Sequence, residues 1–167
     1  FCLSRGLGDV YKRQGLLHWA AGRGLKDVCI HVVTDGRDTP TQSGPRFLAT
    51  IEQQIAAAGV GRISTICGRY WSMDRDNRWE RTEKAYRLLT ETGEVTALSP
   101  QEVLDASYAE AVTDEFIEPT RLAPGQISSG DGLICFNFRP DRVRQLVRAL
   151  VLPEFDSFER TRIQGLQ

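Results

Sequence analysis

The chain has 167 residues, with 21 basic against 22 acidic side chains and a formal net charge of −1 at pH 7. That length suits one ordinary domain, and the balanced charge supplies no global positive field for nucleic acid or an anionic membrane. With 41% hydrophobic and 26% charged residues the composition is globular rather than disordered, and no apolar run reaches the roughly 20 residues of a membrane span.

Residues 1–14 (FCLSRGLGDVYKRQ) carry neither an amphipathic period nor an apolar centre. They read as a non-native or disordered leader rather than a signal peptide, with the domain proper expected over 15–167. Leu16-Leu17-His18-Trp19-Ala20-Ala21 then reads as the second half of a helix closed by Gly22 or Gly24, the start expected of a truncated domain.

Val28-Cys29-Ile30-His31-Val32-Val33, rich in β-branched residues, predicts a buried strand. It exits into the polar loop Thr34 to Pro40. A helix follows, with Pro45 in its first turn, Phe47, Ile51 and Ile55 on one face and Gly59 just past its end. A second strand over about 62–67 leads to a second polar loop over 68–76. The next helix covers about 78–90, with Trp79, Thr82, Tyr86 and Leu89 on one face. Ser99-Pro100-Gln101-Glu102 is a capping-box pattern that opens a helix to about Val112. Phe116-Ile117 and residues 119–125 read as extended or loop. Residues 132–137 predict a third buried strand, followed by Arg139-Pro140-Asp141-Arg142 and a helix bearing Val143, Leu146, Val147 and Leu150.

Strands alternating with helices predict an α/β fold: a layered, mainly parallel sheet flanked by helices. The four cysteines form no CxxC pair and there is no export signal, so a reduced, cytoplasmic protein is expected. Two histidines are too few for a His-based cluster, and no metal site is expected in this chain.

Eighteen of the 21 basic residues are arginine. A coding bias explains such a total, but position tells more. In open parallel sheets ligands bind at the carboxyl ends of strands. Arg37 and Asp38 follow the first predicted strand, Arg69 and Arg75 the second, Arg139 and Arg142 the third. A single loop arginine is ordinarily solvated or paired with a neighbour. Three successive strand exits all bearing arginine instead predict a pocket for a small anion that also carries a hydroxyl. The guanidinium groups would grip phosphate and carboxylate in bidentate fashion, and Asp38 would accept from the hydroxyl. Trp71 and Trp79 beside arginines allow a base-stacking reading, but Trp79 sits on an apolar helix face and the net charge opposes RNA. No Walker A loop, GxGxxG or GxSxG occurs. Arg121, off this rim, is expected to matter little to anion binding.

Three stretches carry a resemblance. His31-Val32-Val33-Thr34-Asp35-Gly36-Arg37-Asp38-Thr39-Pro40 with Gln42-Ser43-Gly44, then Gly68 to Arg81 (GRYWSMDRDNRWER), then Phe136-Asn137-Phe138-Arg139-Pro140-Asp141-Arg142 resemble segments of cofactor-independent (2,3-bisphosphoglycerate-independent) phosphoglycerate mutases, in that family's order and spacing. The resemblance implies a two-part glycolytic isomerase. One part is alkaline-phosphatase-like and carries two Mn2+ ions and a serine that takes the phosphoryl group. The other part, to which this chain is similar, holds the glycerate end. It assigns Asp38 to the glycerate hydroxyls as a general base and Arg37, Arg69, Arg75, Arg139 and Arg142 to carboxylate and phosphate. The family's serine nucleophile, its metal ligands and a substrate-contacting histidine are not in this sequence. Thr41 stands where a second proline is usual, and Cys67 where serine is common. The expectation is therefore a fragment, silent by itself, whose partners are the small-molecule substrate and the rest of the same enzyme chain, with neither nucleic acid nor membrane. A freestanding, non-catalytic phosphometabolite-binding module is the alternative.

Overall fold

The computed structural model describes residues 7–135, 137 and 139–167. Its first helix, α1 (Leu7–Gly22), begins eight residues ahead of the expected start at Gly15, so 7–14 are helical rather than disordered; residues 1–6 lie outside the described part. Arg13 is buried, and its Nε donates to Gln54 Oε1 at 2.6 Å. Leu17 enters the core, whereas Trp19 remains 53% exposed.

Strand β1 (Cys29–Thr34) and helix α2 (Gly44–Ala58) follow. Pro45 occupies the first turn of α2. Gly59 closes it in the left-handed region at φ 68°, its N–H donating to Ile55 O, because an αL residue lets the chain satisfy orphan helix carbonyls. Strand β2 (Arg62–Gly68) pairs in parallel with β1, from Cys29 opposite Arg62 to Thr34 opposite Gly68. An irregularity between Ile30 and His31 leaves Ser64 over, and Ser64 O accepts instead from Leu122 and Ala123 N–H.

What reads as a wholly polar loop after β2 opens with a helical turn, α3 (Arg69–Ser72). Then come α4 (Trp79–Thr90), α5 (Pro100–Ala109), a 3-10 turn at Asp114–Phe116, the two-residue β3 (Thr120–Arg121) and α6 (Pro140–Val151). The capping box at Ser99 and Glu102 is formed in both directions. β3 joins β2 antiparallel, so the three-stranded sheet, order β1-β2-β3, is mixed rather than mainly parallel.

The third strand expected over 132–137 is absent from its described residues. Ile134 is 49% exposed and Cys135 is exposed. The backbone there bonds to the end of the chain instead: Leu133 N–H donates to Gln167 O, and Gln167 N–H to Asp131 O. An apolar run becomes a strand only where a sheet edge receives it, and here none does. Phe136 and Phe138, part of that run and of the motif after it, lie outside the described residues.

Among the described residues, two apolar clusters form the core. The first gathers Leu17 of α1, Ile30 and Val32 of β1, Leu48 and Ile51 of α2, Ile63 and Ile66 of β2, Val103 and Leu104 of α5, and Ile117. The second centres on Tyr86, Ile127, Ala149 and Leu150, with Phe155, Phe158 and Leu166 against it. Trp79 meets Phe155 edge to face at 5.3 Å, which makes it packing rather than a stacking platform. Among the described residues no helix is long and apolar enough to cross a membrane.

Candidate anion-binding site

β1 and β2 run parallel, so their carboxyl ends open on the same edge, and Asp114 ties that edge together. Its side chain is 1% exposed. Oδ2 accepts from the N–H groups of Ser43 and Gly44 at 2.9 and 2.8 Å, capping α2, and Oδ1 accepts from the Tyr108 hydroxyl. Burial and that carboxylate push the Tyr108 phenol well above its ordinary value. Gly36 and Gly68 let both strand exits approach this segment. A Cβ at Gly36 (φ 64°) would lie 2.6 Å from Glu115 N, and one at Gly68 would run into Glu115 O. The Gly68 N–H donates to Ile117 O at 2.7 Å.

Asp35 organises the first loop from below. It is 7% exposed, and its Oδ1 accepts from the N–H groups of Arg37 and Asp38 at 3.2 and 3.0 Å and from Arg69 Nη1 at 2.5 Å. Arg69, the first residue of α3, is 5% exposed and reaches on to Asp38 Oδ2 at 3.1 Å. Arg139, at the N-cap of α6, reaches the same oxygen at 2.7 Å. Its own N–H donates to Asn137 Oδ1 at 3.0 Å, which fixes its approach. One carboxylate oxygen thus joins all three sequence-predicted turns. Desolvation lowers the Arg69 pKa, but the hydrogen bonds it donates to Asp35 and Asp38, with their charges, outweigh that and raise it.

The remaining arginines stand around this centre. Arg75 and Arg142 share Asp141 Oδ2, at 3.3 Å from Nη1 and 3.8 Å from Nε respectively. Arg37 is more open, with Nη1 3.6 Å from Glu115 Oε1. Desolvation lowers the Arg142 pKa first, and the like charges of Arg75, Arg69 and Arg37 lower it further. Positive groups from all three turns therefore press on one place, and all six predicted residues meet on one rim.

Four carboxylates that shape the rim were not singled out from sequence as site residues: Asp35, Asp74, Asp114 and Asp141. Asp74 Oδ2 accepts from the N–H groups of Asp76 and Arg78 at 3.0 and 2.9 Å and from Gln145 Nε2 at 2.7 Å. It thereby fastens the Arg75 loop to α6. For Asp35, Asp74 and Asp141 the signal available in sequence was an aspartate within two residues of a rim arginine in polar, turn-forming text, whereas Asp114 has no arginine near it in sequence; which ones turn inward depends on packing.

Arg121 lies off the rim but has a part in the fold. It is 7% exposed, and its Nη2 donates to Leu88 O and Glu91 O at 2.5 and 2.6 Å, holding the end of α4. Its replacement would unsettle the fold. Cys67 is packed under the rim, where burial raises its thiol to about 11 against the opposing effect of the Ser72 hydrogen bond. Among the described residues no three His, Cys, Asp or Glu side chains gather as a metal centre.

Residues 9–167 match the family described as BPG-independent PGAM N-terminus. The chain is 57% identical over 147 residues to the 2,3-bisphosphoglycerate-independent phosphoglycerate mutase of Prochlorococcus marinus (strain MIT 9303), covering 87% of this chain and 27% of that protein. It is 59% identical over 152 residues to the enzyme of the same name from Synechococcus elongatus, covering 91% and 29%. Among solved structures, the Leishmania mexicana phosphoglycerate mutase crystallised at low cobalt concentration superposes with a TM-score of 0.86 at 28% identity, over 94% of this chain and 31% of that one. The chain thus spans less than a third of the proteins it resembles. The ordered motifs, the shared fold and the matched span together place the chain in the BPG-independent PGAM N-terminus family.

Proposed function

We propose that this chain is the ligand-gripping portion of an isomerase that interconverts 3-phosphoglycerate and 2-phosphoglycerate in the cytoplasm. The phosphoryl-accepting serine and the two Mn2+ ions belong, in this reading, to an alkaline-phosphatase-like part of the same enzyme outside these residues. Among the described residues no side-chain group fits a metal centre.

The observation that carries the reading is Asp38 Oδ2 held between Arg69 and Arg139, with Arg37, Arg75 and Arg142 on the same rim. Guanidinium groups form paired hydrogen bonds with both carboxylate and phosphate, and a phosphoglycerate carries one of each. As the ligand enters, its anionic groups share the donors of Arg69 and Arg139 with Asp38. Asp38 then accepts the proton of a glycerate hydroxyl, first positioning it and then acting as base when that oxygen takes the phosphoryl group. The arginines keep glycerate bound while it turns to present its other hydroxyl.

Calorimetric titration tests this. The chain should bind 3-phosphoglycerate more tightly than either glycerate or inorganic phosphate, and Arg139→Ala should abolish the advantage. Equal affinity for all three would remove the reading. Alone, with Mn2+ added, the chain should interconvert no phosphoglycerate.

A further inference from the structure

We propose that Asp141 is a built-in competitor for the outer half of this rim: with no ligand bound, its carboxylate occupies Arg75 and Arg142, and an anion must displace it to bind. Asp141 thereby sets the affinity threshold of the site. The inference rests on reading the rim as an anion site and deepens that reading.

The geometry separates Asp141 from its neighbours. Asp35 is locked by two backbone N–H groups and a guanidinium, and Asp38 by two guanidinium groups within 3.1 Å. Asp141 makes only longer approaches, 3.3 and 3.8 Å, and its side chain is 44% exposed. It sits directly after Pro140 in the first turn of α6. A carboxylate there can swing into water and stay near the positive end of the helix, so leaving its arginines costs little.

The charge balance points the same way. Five guanidinium groups face Asp35, Asp38, Glu115 and Asp141 on this rim. Desolvation pushes the Asp141 carboxyl up, yet the Arg75 hydrogen bond and the Arg142 charge together hold it below its ordinary value, and like charges press on Arg142. Withdrawing Asp141 leaves two more arginine heads for a ligand. A site whose competent form is only fractionally populated binds more weakly by that fraction. If Asp141 held the outer pair in nine molecules of ten, it would weaken anion binding about tenfold. A ligand able to make paired bonds to both arginines recovers that loss more readily than a weak monoanion.

The test is titration of the 167-residue chain and its Asp141→Asn variant with inorganic phosphate and, separately, with 3-phosphoglycerate, at low and high salt. Asp141→Asn should bind phosphate about three- to tenfold more tightly at low salt, with the gain shrinking as salt screens the charge. Asp27→Asn, beside Arg62 before β1 and so at the opposite end of the sheet, makes the same change in net charge and should alter affinity by less than about twofold. Tightening is a result that damaged folding does not produce. Unchanged or weaker phosphate binding by Asp141→Asn, with wild type still binding 3-phosphoglycerate, would overturn the competitor role alone. Tightened phosphate binding with no 3-phosphoglycerate binding in either protein would overturn the proposed function and leave this inference standing. Absence of all binding in both proteins would overturn both.

Discussion

The inner and outer halves of the rim use the same chemistry in different surroundings. Inside, Arg69 is 5% exposed and lies against Asp35 and Asp38; outside, Arg75 and Asp141 are 52% and 44% exposed and meet at 3.3 Å. In the interior a charge cannot be left alone, because the desolvation already incurred is repaid only by its partner. At the surface, water replaces the partner at small cost, and an exposed ion pair contributes between nothing and about 1 kcal/mol. The inner pairs are therefore part of the fold as well as of the site, whereas the outer pair is free to answer a ligand.

Breaking the inner half should produce the largest effect. Arg69→Ala leaves Asp35 and Asp38 facing each other without their shared cation and should destabilise the chain by about 3–5 kcal/mol in urea unfolding. A loss below about 1 kcal/mol would show that water already screens the inner half, and the contrast would vanish.

A pH series sharpens the same point through the sheet beneath. His31 is 8% exposed, its Nδ1 lies 3.0 Å from Thr65 Oγ1, and burial, with Arg121 and Arg62 nearby, lowers its pKa to about 3. The folded state therefore keeps His31 neutral while the unfolded state takes up a proton below its ordinary value of 6.5. Stability is complete above pH 6.5 and falls as pH drops through the window down to about 3, by about 2 kcal/mol at pH 5. His31→Gln should flatten that slope; an unaltered slope would assign the loss to carboxylates elsewhere.

Ligand affinity comes next. Arg139→Ala removes a grip that also holds Asp38, and it should weaken 3-phosphoglycerate binding by about 1.5–3 kcal/mol while changing stability less than Arg69→Ala. Arg75→Ala should weaken binding less, since part of its loss is offset by freeing Asp141, and should leave unfolding within about 1 kcal/mol of wild type. Equal losses at Arg139 and Arg75 would erase the distinction between the halves. The smallest effect belongs to Arg23→Ala, at the far end of α1 and stacked on exposed Trp19 at 5.5 Å, where neither affinity nor stability should move beyond about 0.5 kcal/mol.

Most of the elements, and the six side chains that meet on the rim, were legible in the sequence. Periodicity, proline and glycine punctuation and the capping box report local backbone preferences, which survive folding when nothing opposes them. The α2 cap at Gly59 and the Ser99 box are examples. Arg37 and Arg69 were legible because they follow β1 and β2, whose parallel carboxyl ends share one edge; Arg139 and Arg142 reach that edge from the start of α6, with no strand before them among the described residues.

Other features depended on partners far along the chain. Residues 132–135 are as apolar as a strand, but a strand is completed by its neighbour's hydrogen bonds, and here those bonds come from Gln167. The leader-like residues 7–14 gain a helix in which Arg13 meets Gln54, 41 positions away. Arg121 looked like any surface arginine until α4 closed over it. The sequence by itself determined where most of the helices lie and which charges follow β1 and β2. Tertiary structure alone decided which carboxylates turn inward against them and which stay in water, because burial and pairing are properties of surroundings that no residue carries by itself.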